Sequence, residues 1–93
     1  MMLEISNYNN QYKIKGQLTR LNLAVFNDAF RNIFDSFNDV VLDIEGVEKI
    51  DREGVNAIAK LHNESLTKGK RFSIIGLGCK ELVDHFRSTQ QVA

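Results

Sequence analysis

The stretch Val40-Val41-Leu42-Asp43-Ile44-Glu45-Gly46-Val47-Glu48-Lys49-Ile50-Asp51-Arg52-Glu53-Gly54-Val55 decides the fold. Its first five residues are an apolar, β-branched run holding a single acid, the composition of a central strand covered on both faces. Gly46 is read as the end of that strand, with Ile50 a further apolar anchor before Asp51. The period then changes. Val55, Ile58 and Leu61 share one helical face, continued by His62 or Leu66, so a helix is expected from Arg52 to Leu66. Asp51 is a suitable N-cap, and Glu53 falls in the positive first turn. Lys68-Gly69-Lys70 supplies the stop, because Gly69 can turn left-handed.

On the N-terminal side, Leu3 to Tyr8 mixes apolar and polar residues and Tyr12 to Gly16 alternates them, around the turn-forming pair Asn9-Asn10. Two antiparallel strands are expected, the second ending at Gly16. From Leu21 onward Phe26, Phe30, Ile33, Phe34 and Phe37 recur three or four residues apart. They predict one amphipathic helix whose aromatic stripe packs on the sheet, since aromatic burial dominates small cores. On the C-terminal side, Phe72 to Gly76 reads as a strand, and after Gly78 a last helix would turn Leu82, Val83 and Phe86 inward. The order is β-β-α-β-α-β-α. Two strand–helix–strand crossovers place the chain in the α/β class with a partly parallel sheet.

Ninety-three residues make a single domain, spanning 1–93, with one modest core. Twelve basic residues balance twelve acidic ones, so nothing in the net charge favours nucleic acid or an anionic membrane. Cys79 is the only cysteine, which excludes an intrachain disulfide and points to a reducing compartment, the cytoplasm. Met1 to Ile5 lacks the basic and apolar runs of a signal peptide, and no segment reaches the roughly 20 apolar residues of a membrane span. Direct membrane insertion is therefore not expected.

No catalytic residue, metal ligand or cofactor is assigned. His62 and His85 belong to different expected helices, and Cys79 has no neighbour marking it as a nucleophile. Asp43 at a strand resembles the acceptor of a receiver domain, but the acidic pair and lysine of such a site are missing. Gly76-Leu77-Gly78 lacks the remaining parts of a phosphate-binding fingerprint and reads as a strand–helix turn.

Three pieces of the chain resemble the STAS domain of anti-sigma factor antagonists. Gly16-Gln17-Leu18 is similar to the family's G-x-L before its first helix. Residues 40–55 resemble its apolar strand followed by D-L-S and I-D-S-S-G-L. Lys68-Gly69-Lys70 with the next strand and Gly76 is similar to G-x-x-L-x-L-x-G. The resemblance implies a mixed sheet of four or five strands flanked by helices, and a non-catalytic interaction module. It also implies a Ser or Thr after the Asp of the central motif, phosphorylated by a partner kinase that is itself an anti-sigma factor. Here that position is Arg52 and the next is Glu53. No Ser, Thr or Tyr occurs between Phe37 and Glu64, so the usual switch cannot operate there. Phosphorylation elsewhere, for example at Thr19, Ser65 or Thr67, stays open but is not implied by the resemblance.

In place of the switch, Asp43, Glu48, Asp51, Arg52, Glu53 and Gly54 are taken as a permanently set partner-binding loop and helix start. From Asp43 to Glu53 five acids face two bases, a local excess of three negative charges in a neutral protein. Such a patch would meet a basic partner surface; the competing reading is a solvated helix start whose charges cancel. The expected partner is a protein, either a kinase-like anti-sigma factor or the ATPase of a lipid transporter served by an accessory STAS subunit. A third reading is a homo-oligomeric scaffold using the first strand as an exposed edge. Monomer and weak homodimer both remain open.

Overall fold

Two strands, β1 (Leu3–Tyr8) and β2 (Gln11–Leu18), fold back on each other through Asn9, whose φ of 53° makes the tight reversal. The computed structural model describes residues 2–76, so the expected last helix with Leu82, Val83 and Phe86, and Cys79 and His85 with it, lies outside the described residues. A 3-10 turn at Arg20–Asn22 leads into α1 (Leu23–Ala29) and α2 (Ile33–Ser36). Then follow β3 (Asp39–Ile50), α3 (Arg52–Thr67) and β4 (Arg71–Ile75). The strands lie in the order β1-β2-β3-β4, with β1 antiparallel to β2 and the other two pairs parallel. This is the mixed four-stranded α/β sheet expected.

The core lies between one face of that sheet and the three described helices. Leu3, Ile14, Val40, Leu42 and Ile44 project from the strands onto Phe26, Phe30, Ile33 and Phe34 from α1 and α2, and Val55, Ile58 and Leu61 from α3. Tyr12 packs on Phe30 with ring centres 5.0 Å apart, and Phe34 meets Phe72 edge-on at 6.3 Å. Lys13, Val41, Asp43 and Ser73 share the opposite face through the strand register. There Val41 and Asp43 are half-buried rather than covered, so among the described residues β3 is central but clad by helices on one side.

Four local expectations are corrected. The aromatic stripe does not form one helix: Asn32 takes a left-handed conformation (φ 56°) and divides it into α1 and α2, with Phe37 already extended. Gly16 does not end β2, which runs on to the fully buried Leu18. Gly46 does not end β3. The strand continues to Ile50 through two bulges, where Ile44 and Glu45 together face Ile14, and Glu48 is inserted between the partners of Gly16 and Gln17. Each bulge returns the next apolar residue to the core, so the buried positions step from Ile44 to Val47 to Ile50. On α3 the fourth inward position belongs to Ser65, whose hydroxyl donates to the His62 carbonyl, while His62 and Leu66 are exposed.

Candidate protein-docking site

Asp51 ends β3 and starts α3, and its side chain holds that junction together. One carboxylate oxygen accepts the Gly54 N–H at 2.9 Å, the N-cap bond expected of it. The other accepts the Arg20 N–H at 2.8 Å, from the turn that follows β2. Its own N–H donates to the Leu18 carbonyl at 3.3 Å, and its carbonyl accepts from Val55 at 3.0 Å. The Arg20 amide above all, assisted by that of Gly54 and opposed by partial burial, holds the Asp51 carboxyl below the ordinary 3.8. Gly54 is buried where α3 crosses the end of β2. A Cβ there would collide with the Leu18 carbonyl oxygen and stand 2.8 Å from the Ile50 side chain. Asp51 and Gly54 are thus builders of the junction.

Arg52 and Glu53, in the first turn, point to solvent. Among the described residues neither has an ion-pair partner within 4.0 Å. Glu53 stands at the mouth of a cleft of about 210 Å³ between α1 and α3, lined by Leu23, Asn27, Asn56, Ala57 and Lys60. A second depression of about 340 Å³ shares Asn27, Ala57 and Lys60 and continues it towards Phe30, Arg31 and Glu64. The two form one groove with an apolar floor and a mixed-charge rim. The sequence reading missed this groove. Its α3 side, Glu53, Ala57, Lys60 and Glu64, is a stripe at helical spacing, whereas its α1 side depends on how the helices meet.

The six candidate residues are not all brought together. Asp51, Arg52, Glu53 and Gly54 form the start of α3. Asp43 lies eight residues back along β3, at most roughly 27 Å at full strand rise, on the sheet face away from the described helices. Its carboxylate accepts the Glu45 N–H at 2.9 Å and closes the first bulge. Glu48 occupies the second bulge and lines a shallow depression with Met2, Glu4, Lys15, Gly16 and Gln17. The acidic excess is therefore dispersed over separate surfaces. No group of three metal-ligating side chains occurs among the described residues, and no described helix is long and apolar enough to cross a membrane.

The three hydroxyls named as examples are also placed. Thr19 and Ser65 are 8% and 1% exposed, so neither offers an accessible phosphoacceptor, whereas Thr67 is exposed at the far end of α3.

A model of the STAS domain matches residues 2–90. Among solved structures, the anti-sigma factor antagonist SpoIIAA in its unphosphorylated form is similar at a TM-score of 0.70 and 13% identity, over 99% of this chain and 84% of that one. Mglu is similar at a TM-score of 0.60 and 19% identity, over 76% of this chain and 18% of that chain. No curated protein matches the chain. At these identities the two structures show a shared fold.

Proposed function

The chain belongs to the STAS domain family, and from that premise we propose that it is a non-catalytic regulatory module that docks on a protein partner through the start of α3. The observation that carries this reading is the exposed pair Arg52–Glu53, held by the Asp51 brace at the position where the resemblance puts a phosphorylated hydroxyl. An arginine there offers no hydroxyl for the Ser/Thr switch, and the neighbouring hydroxyl Thr19 is buried. Docking at this site is accordingly constitutive, with Glu53 and the α1–α3 groove completing the surface. The fold shared with SpoIIAA supports a partner of the anti-sigma factor class.

The test is capture from native lysate on the tagged full chain, beside the Arg52→Ala/Glu53→Ala variant. A kinase-like anti-sigma factor retained by the wild type and lost by the variant supports the proposal. Transporter ATPase subunits retained instead would place the protein as an accessory subunit that uses the same surface. A partner held equally by both chains would rule out this docking site.

A further inference from the structure

We propose that a second copy of this chain pairs with it along β1, antiparallel and about a two-fold axis through Ile5, joining the two four-stranded sheets into one. β1 stands at the end of the strand order and, among the described strands, pairs with β2 alone. The Gln17 N–H donates to the Met2 carbonyl at 2.9 Å, which marks that pair as hydrogen-bonded. Bonded and non-bonded pairs alternate along an antiparallel ladder. By the register, the main-chain groups of Glu4, Ser6 and Tyr8 then point to β2, and those of Leu3, Ile5 and Asn7 point outward. Proteins blunt such edges with lysine, proline or a bulge. β1 has no lysine and no proline, its register has no shift, and Glu4 is its single charge.

The occupant follows from the strand's complementarity to itself. With Ile5 opposite Ile5, Leu3 falls opposite Asn7, so all three outward residues enter bonded pairs. Odd positions then meet odd ones, and the core-facing side chains of both copies stay on one side. Glu4 falls opposite Ser6 rather than opposite its own copy. Met2 falls opposite Tyr8. These two are 63% and 79% exposed, among the large apolar side chains left open to solvent, and the pairing brings a thioether to an aromatic ring twice per dimer. The two Glu4 carboxylates become diagonal neighbours, which keeps the association weak. The inference is independent of the docking reading, since Asp51, Arg52 and Glu53 are not on β1.

The test is sedimentation of the full chain from about 10 µM to about 1 mM, with amide exchange followed residue by residue. Reversible dimerisation is expected, with the Leu3, Ile5 and Asn7 amides losing protection on dilution while those of Glu4, Ser6 and Tyr8 do not. Asn7→Pro removes an outward donor at an exposed residue and no bond to β2, so it should leave a folded monomer. Tyr8→Ala should raise the dissociation constant about tenfold, and Glu4→Gln should lower it. A strict monomer at about 1 mM, a dimer indifferent to Asn7→Pro, or protection of the outward amides that does not vary with concentration would overturn the proposal. The last result would mean that the edge is covered within the chain.

Discussion

Asp51 shows how one side chain can serve structure so fully that its neighbours Arg52 and Glu53 are left exposed to solvent. Its two oxygens take main-chain donors from two segments, Arg20 and Gly54, so Asp51→Ala removes a helix cap and an anchor for the turn after β2. The expected cost is about 1–2 kcal/mol in urea unfolding. Because the folded carboxyl is held below 3.8, the unfolded chain binds the proton first as pH falls. The charged form's contribution is complete above about pH 4, the unfolded value, and is lost as pH drops through the folded one. The stability gap between wild type and Asp51→Asn should therefore be largest at neutral pH and narrow towards pH 3. A gap that stayed constant would contradict the brace. Gly54 gives a second test. Helix propensity alone would make Gly54→Ala stabilising by up to about 1 kcal/mol. The collision with Leu18 and Ile50 reverses that sign, and a loss of about 1–3 kcal/mol is expected from denaturant titration.

At the scale of elements, what was legible in the sequence was whatever local periodicity and capping control. Asp51 caps α3 as its residue type implies. Gly69 turns left-handed at φ 67°, with Lys70 and Gly69 donating back to Ser65 and Leu66 in a Schellman closure. The errors arose where a partner strand or helix decides. In β3 the spacing from Ile44 to Val47 to Ile50 resembles helix or loop, and pairing with β2 keeps it a strand by inserting bulges. The phenylalanine stripe correctly marked buried residues, but its spacing spans a break at Asn32 that hydrophobicity does not reveal. The α1–α3 groove was invisible because it exists only once two helices meet. The Asn32 break carries its own prediction. A β-branched residue tolerates a left-handed backbone poorly, so Asn32→Val should cost about 1–2 kcal/mol, while Asn32→Gly should change the melting temperature little. Equal effects from both would mean that φ is not what the position requires.

For the whole molecule, the question is whether its charges act as a field or through local pairing. Counted along the chain, residues 43–53 are strongly acidic. Folding disperses that excess: Asp43 closes a bulge, Asp51 is committed to two amides, and Glu48 stands in a separate depression. At the start of α3, Arg52 and Glu53 offset each other within a molecule of zero formal net charge. Long-range steering needs an extended field of one sign, and it weakens once the screening length falls below about 10 Å. Partner association should therefore change by less than about threefold in rate between about 0.05 and 0.3 M salt. Arg52→Ala should act mainly by faster dissociation, as expected when a formed complex is deprived of a short-range interaction. Stopped-flow association and dissociation rates, measured on both chains across the salt series, separate the two cases. An association rate that fell tenfold with salt would show that the acidic run acts collectively despite its dispersal, and would return Asp43 and Glu48 to the docking surface.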